Sequence, residues 1–92
     1  MEKDGSLPDG SVEQFERALS NVYLNLQAAN MEISDLVKLT IYLVSDADTT
    51  KRREVLSAWL KGHKPCMTLL YVAALANPKI KVELDALACN DA

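Results

Sequence analysis

The residues with chemical capacity gather in two stretches. One is "HKPCMTLLYVAAL", His63 to Leu75, where an apolar run is entered through an imidazole, an ammonium, a thiol and a thioether. The other is "KVELDALA", where Glu83 and Asp85 alternate onto one face of a segment whose other face is apolar. A carboxylate can hold a water or shuttle a proton when partial burial brings its titration toward neutral pH. Lys81, Glu83 and Asp85 equally describe a solvated strand face. Asp85 is the second candidate carboxylate, because a register slip of two residues keeps it on the face of Glu83.

Other positions carry weaker chemistry. His63, the only histidine, follows a helix stop and reads as a cap or loop residue rather than a general base, since no motif partner orients it. Cys66 is a thiol at a cleft mouth or a bystander, with Lys64 as the only cation in its immediate sequence. Met67 reads as a flexible filler of core or pocket. Arg52 and Arg53, within "KRR", read as a solvated first turn of an amphipathic helix. Tyr42 and Tyr71 read as core or interface aromatics with their hydroxyls at an edge, where they could line a ligand pocket.

The elements that must position these residues follow from periodicity. Residues 1–10, "MEKDGSLPDG", read as an N-terminal loop, and residues 11–92 as a single domain. Ser11 and Gln14 form a capping-box pattern. Val12, Phe15, Leu19, Val22, Leu26 and Ala29 then recur at helical spacing, which predicts an amphipathic helix to about Asn30. "LVKLTIYLV", Leu36 to Val44, predicts a strand with both faces largely apolar. Asp48 caps a second helix with Val55, Leu56, Trp59 and Leu60 as its core stripe and Gly62 as its stop. A strand from about Met67 to Ala74, too apolar to face water on either side, precedes the "ANPK" turn, and Ile80, Val82, Leu84 and Ala86 mark the inner face of a last strand. The order predicts a two-layer α/β (α+β) fold, a mixed sheet with both helices on one face. An apolar second face then calls for a cover, and a homo-oligomer is the simplest one.

Composition narrows the function classes. The chain of 92 residues has a net charge of −3 and few aromatics, which disfavours a nucleic-acid surface built from basic patches and stacking platforms. No apolar run is long enough to span a membrane and residues 1–5 contain no apolar segment, so the expected location is cytoplasmic, without membrane attachment. Cys66 and Cys89 have no CxxC spacing, which argues against zinc or a disulfide framework and for free thiols.

"QFERALSNVYLNLQAANMEISDLVKLTIYLVSDAD", "HKPCMTLLYVAAL" and "KVELDALA", in this order and spacing, resemble the RidA/YjgF family, also called the L-PSP endoribonuclease family, over about Ser11 to Ala88. The resemblance implies a chorismate-mutase-like subunit in a homotrimer, with a small-metabolite cleft at each subunit interface. It implies hydrolysis of 2-imino acids or enamines to keto acids and ammonia, with no metal or organic cofactor. It also implies that Glu83 is the catalytic carboxylate and that Met67, Cys66, Thr68, Arg53 and Tyr71 contribute to ligand binding. Two departures go with it. Family members begin with further residues that form the first strands and a serine-glycine part of the cleft, and this chain is expected to start at the loop after them. The deaminase motif is Pro-x-Arg-[Ser/Thr], whereas this chain has Pro65-Cys66-Met67-Thr68. A guanidinium holds a carboxylate through two charge-assisted hydrogen bonds and a thioether does not, so weak or altered deamination is expected. A non-catalytic ligand-binding or interaction subunit is the second reading. RNA cleavage, from the older family name, is the third, and the acidic balance and lack of a histidine pair weigh against it.

Overall fold

A computed structural model of the chain describes residues 10–44 and 48–90. The expected N-terminal loop lies, apart from Gly10, outside the described residues. Helix α1 spans Ser11–Ala28 and buries Phe15, Leu19 and Leu26 at the expected spacing. Its start differs from expectation: Gly10 is the N-cap, and Ser11 is already helical and buried. Gln14, instead of closing a capping box, points across the molecule. Its Nε2 donates to the Lys79 carbonyl at 2.9 Å and its Oε1 accepts from the Lys81 N–H at 2.7 Å. Backbone groups on an irregular lead-in to a strand would otherwise be left without partners, and a buried amide serves a donor and an acceptor at once. The capping box of this chain sits at Glu32 and Asp35, around the 3-10 turn Ile33–Asp35. Helix α1 ends with Asn30 at φ 59 and a Met31 N–H to Leu26 carbonyl bond of 2.8 Å, a left-handed closure that asparagine tolerates.

Strand β1 runs over Leu36–Leu43, helix α2 over Thr49–Leu60, strand β2 over Cys66–Tyr71 and strand β3 over Val82–Ala88. Asp48 caps α2 as expected, accepting from the Lys51 N–H. Lys61 takes the left-handed position at the helix end (φ 51), followed by Gly62 at φ 87. The sheet order is β2-β1-β3, with β2 parallel and β3 antiparallel to β1. Central β1 therefore sends Leu39, Ile41 and Leu43 into a core with Phe15, Leu19, Leu56 and Val82, each fully buried aliphatic contributing about 1.5–3 kcal/mol. A register shift between Leu36 and Lys38 returns Leu36 to the helix side, opposite Ala88.

Two strand expectations are corrected. Strand β2 ends at Tyr71 rather than Ala74 and is exposed at every position. It is an edge strand, covered by only one neighbour, so its apolar composition does not translate into burial. The second face of the sheet is also not predominantly apolar. Pairing places Lys38, Thr40, Tyr42, Thr68, Glu83 and Asp85 there, together with Cys66, Leu70 and Leu87. Among the described residues the large apolar side chains that remain exposed lie on both faces of β2, at Val37 and Leu87, and at Leu24 on α1.

Candidate functional site

Pairing register decides which candidate residues can meet, because directly opposed residues in a sheet share a face. Met67 opposes Leu39, which opposes Ala86; Leu69 and Tyr71 continue this helix-side row. Cys66 opposes Lys38, Thr68 opposes Thr40 and then Asp85, and Leu70 opposes Tyr42 and then Glu83. Met67 and Tyr71 therefore face the helices, while Cys66, Thr68 and Glu83 face away from them. Glu83 and Met67 also lie two strands and three residue steps apart, roughly 14 Å between backbones by sheet spacing. One chain does not bring the candidate carboxylate and the motif methionine into a common site.

On the helix side, Met67 and Leu69 form one wall of a groove of about 440 Å³ whose other wall is α2 and the turn after it. Arg53, Leu56, Ser57 and Leu60 follow the i, i+3, i+4, i+7 spacing that aligns side chains along one helix face, and all four line the groove. Arg52, His63 and Lys64 complete its polar rim. Arg52 is only 5% exposed, against the expectation of a solvated turn, whereas Arg53 is exposed. Met67 is 43% exposed, so its thioether is a groove wall and not a core filler. The groove thus pairs an apolar floor from β2 with cationic groups from α2 and the following loop, an arrangement suited to a small carboxylate with an apolar tail.

His63 is half-buried and its Nε2 lies 2.8 Å from the Leu36 carbonyl. An imidazole nitrogen facing a carbonyl must carry the hydrogen, so Nε2 is the donor and the ring ties the α2–β2 loop to the start of β1. That role holds one end of the groove in place. No sequence signal points to it, because the acceptor is a backbone group of a distant element. Asp85 sits on the far face beside buried Thr40, and Glu83 and Asp85 are both exposed. A larger groove between the two helices, about 540 Å³ and lined by Tyr23, Val55 and Trp59, contains none of the candidate site residues. Among the described residues no three His, Cys, Asp or Glu side chains are grouped to hold a metal ion, and no helix is long and apolar enough to cross a membrane.

Comparison with known proteins agrees with this arrangement of elements. The family profile described as Endoribonuclease L-PSP matches residues 1–90. A RutC family protein of Pyrococcus horikoshii is 31% identical over 91 residues, covering 97% of this chain and 71% of that protein. A 2-iminobutanoate/2-iminopropanoate deaminase of Mus musculus is 32% identical over 82 residues, and the match takes in 89% of this chain but 60% of the mouse protein. The crystal structure of Escherichia coli TdcF with bound serine superposes with a TM-score of 0.84 at 26% identity, covering 95% of this chain and 70% of that one.

Proposed function

This chain belongs to the endoribonuclease L-PSP family, the RidA/YjgF family, and on that premise we propose that it is one subunit of a homotrimer whose interface clefts bind a small metabolite bearing a carboxylate. The observation that carries this reading is the groove in which Arg53 lies with Met67. Met67 stands where deaminase members carry an arginine, and Arg53, exposed on the opposite wall, offers a replacement cation. The mouse relative is named for two short imino acids, and TdcF holds serine, all small carboxylates. Hydrolysis of a 2-imino acid needs, besides carboxylate binding, a group to position water, and Glu83 is the proposed carboxylate. Since Glu83 and Met67 lie on opposite faces of different strands, the proposed cleft draws Glu83 from one copy and the groove from the next. Cys66, Thr68 and Tyr71 flank these two surfaces and contribute to the cleft walls. RNA is not a proposed substrate, because a chain of net charge −3 offers a phosphate backbone little attraction.

The same separation favours a second reading, a ligand-binding subunit without turnover, should the copies assemble without joining the two surfaces. The two are told apart by keto-acid release from 2-iminobutanoate generated in situ. Wild type is expected to turn over slowly. Met67→Arg restores a charge-assisted bidentate contact and is expected to raise the rate about ten- to a hundredfold, and Glu83→Gln added to it is expected to remove the gain. Binding of 2-ketobutyrate with no release by any variant would select the second reading.

A further inference from the structure

In the groove beside Met67, His63 has a second ring nitrogen that tying the α2–β2 loop does not use. The residue is fixed from two sides: its backbone N–H donates to the Leu60 carbonyl at 3.0 Å, and its Nε2 lies 2.8 Å from the Leu36 carbonyl. Since Nε2 carries the hydrogen of the neutral ring, Nδ1 keeps its lone pair and can only accept. Among the described residues no donor meets it. The ring is half-buried and lines the groove, so this acceptor belongs to a side chain already held in place.

Chain direction sets where Nδ1 stands relative to Arg53. Strands β1 and β2 are parallel, so α2, which connects them, runs opposite to β2. Arg53 is in the second turn of α2, whereas His63 and Lys64 follow its last residue. The guanidinium and the imidazole therefore belong to opposite ends of the groove, with Leu56, Leu60, Met67 and Leu69 between them. The helix rises about 10 Å from Arg53 to Leu60 alone. A short 2-imino acid held at Arg53 fills one end of that length, and a longer acid reaches the other.

The groups at the His63 end specify how such an acid must terminate. Arg52, Arg53 and Lys64 offer donors only, and among the described residues no acidic side chain lines the groove. Lys64 repels an ammonium at this end, while an uncharged O–H or N–H meets Nδ1 without opposing it. We propose that the groove takes an elongated carboxylate, with its acid group on Arg53, its apolar chain over the four apolar side chains, and an uncharged O–H or N–H at its far end donated to His63 Nδ1. The inference rests on the reading of the groove as the carboxylate site and adds a length and a terminal group to it. His63 sorts ligands by their tails, because a chain that ends in a methyl group covers Nδ1 and leaves it without a donor.

The test measures binding of matched straight-chain acids to the full chain: butyrate with 4-hydroxybutyrate, hexanoate with 6-hydroxyhexanoate, and octanoate with 8-hydroxyoctanoate. Mildly alkaline buffer is used, since a ring carrying both hydrogens has no acceptor. The terminal hydroxyl is expected to tighten binding about threefold to tenfold in one of the two longer pairs and to give no gain in the shortest. His63→Phe is expected to lose the gain, and His63→Gln, whose amide can donate to Leu36 and accept from the ligand, to keep part of it. Wild type supplies a readout that needs no variant to fold. His63 is the only histidine, so its ring-nitrogen resonances are unambiguous; the hydrogen is expected on Nε2 in the free protein, and the preferred hydroxy acid is expected to shift Nδ1 more than its methyl-ended partner does. A hydrogen on Nδ1, a hydroxyl gain already present at four carbons, or a gain that survives in His63→Phe would overturn the proposal. Binding of all the acids that Arg53→Ala weakens, with no hydroxyl preference, would overturn it while leaving the carboxylate reading intact. Binding of none would overturn both.

Discussion

Arg53 and Met67 are both visible as candidates in the sequence, but only the resemblance singles them out, and nothing local joins them. That both line one groove depends on how α2 lies opposite β2, which the helical stripe Arg53, Leu56, Ser57 and Leu60 makes intelligible afterwards. Arg52 is less legible still: two adjacent arginines in a basic turn look equivalent, yet one is buried and the other exposed. The difference separates their mutants. Arg53→Ala is expected to weaken binding of 2-ketobutyrate about tenfold with little change in melting temperature, and Arg53→Lys to recover part of the loss, since a lysine keeps the charge without the bidentate geometry. Arg52→Ala is expected to lower the melting temperature, because it empties a buried position. Titration calorimetry beside thermal melts distinguishes the two, and an Arg53→Ala protein that binds as wild type would remove Arg53 from the cleft.

At the scale of elements, the helices and strands are legible because their apolar periods are clean, and the departures come from tertiary position. Gln14 follows Ser11 at capping-box spacing, and a sequence pattern cannot register that the backbone at Lys79 and Lys81 competes for the same amide. The apolar run of β2 reads as burial on both faces, but strand order puts it at an edge, and order is not encoded in any one strand. The Glu83 and Met67 faces are likewise beyond reach, since parity across strands requires the register. Gln14 provides the test at this scale. Gln14→Ala leaves a donor and an acceptor in part-buried surroundings without their side-chain partner, at about 1–3 kcal/mol. For a domain of this size that is a fall of roughly 4–8 °C in melting temperature per kcal/mol. Gln14→Glu keeps the acceptor for Lys81 but not the donor for Lys79 and is expected to fall between. An unchanged melt in Gln14→Ala would show that solvent satisfies this lead-in equally well.

For the whole molecule, the case for assembly rests on where apolar surface remains. The far face is more polar than its strands suggest, and the exposed apolar surface open to the proposed trimer lies along β2 and at Leu24, Val37 and Leu87. Light scattering is expected to give three times the 10.1 kDa chain mass, with a melting temperature that rises with protein concentration because folding and association are linked. A stable species at the single-chain mass would contradict the trimer. The shared cleft can be tested directly by mixing subunits. The Met67→Arg, Glu83→Gln double variant keeps the new arginine without the carboxylate, and wild type keeps the carboxylate without the arginine. Unfolded together and refolded as mixed oligomers, they place grooves carrying the Met67→Arg change against intact Glu83 from the neighbouring copy. Keto-acid release from 2-iminobutanoate by a one-to-one mixture, in which about a quarter of the clefts carry both groups, is predicted to exceed that of either protein alone at the same total concentration by roughly three- to twenty-fivefold; a rate no higher than the weighted mean of the two would contradict a cleft built from both copies.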